Sequence, residues 1–85
     1  MNPRIEKLLE IDFERSVLYK EAFTLGEINE SKAIEYSNLI VEFNKLFLEI
    51  WGNINEYKDV TFIASDQYLK IGETNRIYLR HLILR

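Results

Sequence analysis

The residues most able to take part in catalysis or binding are one histidine, three evenly spaced glutamates, an aspartate among apolar residues and an arginine-rich end. His81 is the only histidine, and the chain has no cysteine. An imidazole works as a general base only beside a nucleophile and an orienting carboxylate, and no such pattern lies near His81 in the sequence. We therefore predict a helix-terminal or exposed imidazole beside Arg80, in a protein that is not an enzyme and holds no metal or cofactor.

The three glutamates, Glu35, Glu42 and Glu49, repeat every seven residues. A row of carboxylates can bind cations or imitate the phosphates of a nucleic acid. However, the E-x-x-H motif of carboxylate metal sites needs histidines that this chain lacks. A charged row at helical spacing is more typical of the solvated face of an amphipathic helix, and we favour that interpretation.

Asp12 lies between Leu9 and Phe13, within an otherwise apolar stripe. A buried carboxylate needs a partner, and Arg15, three residues further on, is a local candidate. Two interpretations stay open for Asp12. It is either a specificity element at an oligomer interface or an exposed charge where the stripe meets solvent.

The arginine-rich end, RIYLRHLILR, carries Arg76, Arg80 and Arg85 with Tyr78 between them and no acidic residue. Basic residues next to an aromatic side chain can follow a phosphate backbone. A helix-turn-helix alignment over residues 64–82 fails, because Glu73 falls where an apolar residue is required. Nucleic-acid binding through these four residues is therefore the alternative function, and the net charge of −3 argues against it for the chain as a whole.

The first two thirds of the chain have the pattern of an antiparallel helical hairpin, over about 3–25 and 30–51. Asn2-Pro3 is a typical helix start, with Asn as the N-cap and Pro at the first helical position. Apolar residues recur at helical spacing in both segments. The main stripe of the first segment is Ile5, Leu8, Leu9, Phe13, Tyr19 and Phe23, and that of the second is Ala33, Tyr36, Ile40, Phe43, Phe47 and Ile50.

A five-residue frame appears twice, as LGEIN at residues 25–29 and as IGETN at residues 71–75. At the first site, Gly26 suits the left-handed residue that ends a helix, and Asn29 suits the N-cap of the next. The frame therefore predicts a helix junction at 25–29. By analogy it favours a second junction at 71–75.

Two interpretations of residues 56–85 remain. In the first, two more helices complete a small four-helix bundle, and Gly72 and Asn75 repeat the helix junction. In the second, the helical hairpin packs on a three-stranded antiparallel meander, with Ile71 opposite Ile77 and an α+β fold. Its strands would span about 60–64, 67–71 and 76–84. We favour the mainly α bundle because of the repeated frame.

The two helices carry more apolar residues than one core needs. A chain of 85 residues without disulfides buries its apolar surface incompletely, so oligomerisation is the remaining means of stabilisation. The candidate partner-binding residues are Ile11, Leu18, Leu25, Val41 and Leu48 on secondary stripes, together with Asp12. We predict a protein-binding or regulatory module that forms a homodimer and can engage a second protein. Size and composition add the hypothesis of a phage- or plasmid-type inhibitor or adaptor of a host protein.

No segment is apolar enough to enter a membrane. None approaches the roughly 18 consecutive apolar residues that cross a bilayer, and the first residues have no apolar signal region. The expectation is one cytoplasmic domain over residues 1–85, without membrane contact.

Overall fold

A computed structural model describes residues 2–24 and 26–82, which form two long helices followed by an antiparallel sheet. The helices α1 (Pro3–Ala22) and α2 (Glu30–Gly52) are joined through a two-stranded ribbon of β1 (Phe23–Thr24) and β2 (Glu27–Ile28). The sheet contains β3 (Val60–Ile63), β4 (Tyr68–Ile71) and β5 (Asn75–Tyr78), in that order. Short 3-10 turns at Ile54–Glu56 and Leu79–His81 lie on either side of the sheet in sequence.

The predicted four-helix bundle is wrong, because the last third of the described chain is a sheet and the fold is α+β. Alternating apolar residues, many of them β-branched or aromatic, form one face that packs on the helices. The register also differs from the one considered for the meander: Leu69 lies opposite Ile77, and Ile71 lies opposite Asn75. A shift of two residues keeps every side chain on its own face, so the apolar face survives.

The helical hairpin forms as an antiparallel pair, although α1 ends at Ala22 and not near residue 25. Both predicted N-caps are present: the side chain of Asn2 accepts from the backbone N–H of Arg4, and that of Asn29 accepts from Lys32. Gly26 does not end the helix. It lies in the turn between β1 and β2, with a φ of 80°.

The hydrophobic core lies at one end of the helical hairpin. It joins the first half of α1 and the second half of α2 to the inner face of the sheet. Its fully buried side chains are Ile5, Leu8, Ile11, Phe43, Phe47, Ile50, Leu69, Ile71 and Ile77. No described residue between 12 and 38 belongs to this core.

The left-handed backbone of Gly72 makes a testable contribution to stability. Gly72 has a φ of 63°, whereas Gly52 ends α2 without a positive φ, and a Cβ would meet no atom within 4 Å at either site. Gly72→Ala is therefore expected to lower the free energy of unfolding by about 1 kcal/mol. The matched Gly52→Ala is expected to raise it by up to about 1 kcal/mol. Urea titrations of both variants check this, and a neutral Gly72→Ala would contradict it.

Candidate functional site

The distal half of the helical hairpin projects beyond the sheet and carries exposed aromatic side chains. From Ile11 to its end at Ala22, α1 continues for about 16 Å at the rise of an α-helix. Tyr19, Phe23 and Tyr36 contact one another there, with ring centroids 5.2–5.9 Å apart. Ile28 pairs with Phe23 across the ribbon. We call Tyr19, Phe23, Ile28 and Tyr36 the tip cluster.

Three of the four members of the tip cluster are open to solvent although their side chains are large, and Tyr36 is half-buried. Tyr19 is 51 % exposed, Phe23 40 % and Ile28 67 %. They stay exposed because the core that the helices share with the sheet contains no described residue between 12 and 38. Contiguous exposed apolar surface of this kind is typical of an interaction site.

The total surface and the radius of gyration are those of an elongated molecule. The chain exposes 6099 Å², whereas a compact monomer of 10.2 kDa exposes about 5300 Å². Its radius of gyration is 13.7 Å, compared with about 12 Å for a compact domain of this length. Both values reflect an elongated shape, with extents of 41, 25 and 24 Å.

The candidate partner-binding residues do not form one surface in the structure. Ile11 is buried in the core, Leu18 is half-buried, and Leu25 lies outside the described residues. Val41 and Leu48 are exposed on α2. Ile34 extends the Val41 and Leu48 stripe by another seven residues, and its exposure was missed although the spacing was visible in the sequence.

Asp12 and His81 meet although 69 residues separate them. The Nδ1 atom of His81 lies 2.9 Å from Oδ1 of Asp12, and Nε of Arg15 donates to the same oxygen at 3.2 Å. The predicted pairing of Asp12 with Arg15 is therefore present. The expectation for His81 was a helix-terminal or exposed imidazole. His81 is the last residue of the 3-10 turn Leu79–His81, and 20 % of its side chain is accessible.

Burial disfavours the charged form of His81. It lowers the pKa of His81, and the Arg15 guanidinium lowers it further, while Asp12 opposes both effects. A neutral imidazole with its proton on Nδ1 can donate to Asp12, because a carboxylate oxygen only accepts. Nη2 of Arg15 is a close neighbour of that nitrogen, at 3.3 Å. The cluster links the 3-10 turn after β5 to α1, and the ring of Phe43 on α2 lies beside the imidazole.

The outer face of the sheet carries the basic and aromatic residues of the arginine-rich end. The guanidinium of Arg76 lies over the ring of Tyr68, at 5.1 Å from the centroid, and that of Arg80 lies over Tyr78, at 4.0 Å. Three of the four residues of the nucleic-acid alternative are therefore neighbours. The fourth, Arg85, lies outside the described residues.

Comparisons with known proteins give no relative: no family model, no curated protein and no solved structure matches this chain. Within residues 2–24 and 26–82, no group of three or more potential ligands is placed to hold a metal ion. No helix in that part of the chain has the length and apolar character needed to span a membrane.

Proposed function

We propose that this chain is a non-enzymatic protein-binding module that acts as a homodimer through its tip cluster. The observation that supports the proposal is the distal half of the helical hairpin, which exposes mutually packed aromatic rings where the sheet does not cover it. Tyr and Phe side chains bury large areas at little entropic cost, which makes them effective anchors at protein interfaces.

A second copy is the partner that the tip cluster fits best. The cluster is formed by both helices and by the ribbon between them, so two copies related by a twofold axis would place like side chains against each other. The contact would extend the hairpin into four helices at its uncovered end.

Sedimentation equilibrium at micromolar concentrations tests the proposal. The expected mass is twice the 10.2 kDa of the chain. Phe23→Thr combined with Ile28→Thr keeps β-forming residues in the ribbon but removes apolar contact area. We expect this double variant to weaken dimerisation at least tenfold, or about 1.4 kcal/mol.

Val41→Thr is the matched control, because Val41 is also exposed and apolar but lies on the α2 stripe. It is expected to leave the dimer unchanged. If Val41→Thr dissociates the dimer and the tip variant does not, the interface lies on α2 and the tip assignment is wrong. A wild-type mass of 10.2 kDa at all concentrations would contradict the homodimer itself.

A further inference from the structure

The outer face of the sheet concentrates positive charge in a way that a β-sheet does not need for stability. Strand pairing places Lys70 directly opposite Arg76, with Thr61 completing the same row. Like charges opposite each other on neighbouring strands destabilise a sheet. No acidic residue lies in this row to offset the repulsion.

The cations of this face are also not neutralised by carboxylates. In the helical hairpin, Arg4, Lys7, Arg15 and Lys32 each form an ion pair with an acidic side chain, whereas Lys20 and Lys45 belong to none of the ion pairs among the described residues. None of the ion pairs in the described part of the chain involves Lys70, Arg76 or Arg80. Two of these three cations lie over tyrosine rings instead, and Arg76 also hydrogen-bonds the side chain of Tyr78. The N–H groups that remain can bind an anion.

The acidic residues nearby lie at the turns and not on this face. Asp59 and Glu73 lie beside Lys70, around a shallow surface pocket at the end of the row. Asp66 lies in the turn between β3 and β4 and acts on Arg76 without forming an ion pair. The open part of the positive surface is therefore the strip that carries Arg76 and Arg80.

We propose that this strip, formed by Arg76 on Tyr68 and Arg80 on Tyr78, binds single-stranded nucleic acid. A phosphate backbone supplies the negative charges that the two guanidinium groups lack. The planar guanidinium groups, held by the tyrosines beneath them, present flat surfaces on which unpaired bases stack. Tyr68 is itself buried and Tyr78 half-buried, so the arginines form the outermost layer.

A single strand fits this surface better than a duplex does. The bases of a single strand are unstacked and free to turn toward a flat face, whereas those of a duplex are already stacked on each other. The described sheet also offers no projecting helix or long ribbon that would enter a groove. The site is independent of the proposed dimer contact, which uses the tip cluster.

Fluorescence anisotropy of a labelled oligothymidylate of about eight nucleotides tests the site. Binding through two phosphate contacts should give a slope of log K against log salt of about −1.4, which is about a sevenfold weakening for each fourfold rise in salt. Arg76→Ala combined with Arg80→Ala is expected to lower the affinity at least tenfold at low salt. Far-UV circular dichroism checks that this variant keeps its fold.

Two further variants identify the chemistry. Lys45→Ala removes one exposed cation from α2 and is expected to leave the affinity unchanged. Arg76→Lys with Arg80→Lys keeps both charges but loses the planar groups, so it should keep the salt slope and lose several-fold in affinity. The proposal is overturned if no binding occurs at low salt, if Lys45→Ala weakens binding as much as the arginine variant, or if the lysine variant binds like the wild type. Equal competition by polyglutamate would also overturn it, because that result indicates a site for acidic proteins.

Discussion

Phe47→Ala is expected to lower the free energy of unfolding by about 3–5 kcal/mol. Phe47 is fully buried at the centre of the core, where its ring contacts Phe43 and Trp51. Truncation leaves a cavity that helices and a sheet packed from two sides cannot close. A domain of this length has a total stability of only about 4–13 kcal/mol, so the expected loss is a large fraction of the total.

The matched control is the same substitution at Phe13, which is 70 % exposed on α1. Phe13→Ala is expected to change stability by less than about 0.5 kcal/mol, because it removes little buried area and alanine favours the helix. Urea titrations at one fixed protein concentration compare the two variants and keep dimerisation constant between them. Equal losses would contradict the location of the core, since Phe13 would then be a buried residue.

The variants Phe47→Ala and Phe13→Ala also test the sequence-based prediction that Phe13 belongs to the main apolar stripe of the first helix. The predicted main stripe of the first helix placed Phe13, Tyr19 and Phe23 together with Ile5 and Leu8. Phe13 follows Leu8 by five residues and so lies about 140° away from it around the helix axis, whereas Tyr19 and Phe23 do lie on the side of Ile5 and Leu8. Helical periodicity gives the direction of a side chain around the helix axis, but not which part of the helix another element covers. The sheet covers only one end of the hairpin, so the stripe is buried at its beginning and exposed further along.

The repeated frame explains why the last third was assigned to helices. Gly26 and Gly72 do share one structural role: both have a positive φ and both lie in turns between antiparallel strands. The frame is therefore a strand-turn device at both sites. At 25–29 it was interpreted as a helix junction because long helices lie on either side, and a two-residue strand has too little periodicity to be recognised. The interpretation as a helix junction was then applied to residues 71–75 by analogy.

Local chemistry was predicted better than long-range contacts. Asn2 and Asn29 cap helices because the signal for a cap lies within a few residues. The pairing of Asp12 with Arg15 follows from helical spacing in the same way. The contact of Asp12 with His81 depends on the docking of the sheet on α1, and no local pattern contains that information.

The cluster of Asp12, Arg15 and His81 is expected to make stability depend on pH near neutrality. The pKa of His81 is lower in the folded protein than its ordinary value of 6.5, because burial and then Arg15 disfavour the imidazolium. As the pH falls through 6.5, the unfolded chain therefore binds a proton before the folded one does. The free energy of unfolding should decrease on acidification, with a slope of at most about 1.4 kcal/mol per pH unit for one proton.

Asp12→Asn should lower stability at neutral pH and increase the loss in acid. The uncharged amide of Asn no longer compensates the positive charge of Arg15, whose side chain is only 13 % accessible. We therefore expect the free energy of unfolding to fall by about 1–2 kcal/mol. Asp12 is also the group that raises the pKa of His81 toward its ordinary value, so its removal widens the pH range of acid destabilisation.

His81→Asn is the control, because its amide N–H can still donate to Asp12 but does not titrate. Urea titrations between about pH 5.5 and 7.5 should show the slope in the wild type, a larger total loss in Asp12→Asn and a flat profile in His81→Asn. An unchanged slope in His81→Asn would assign the pH dependence to another group.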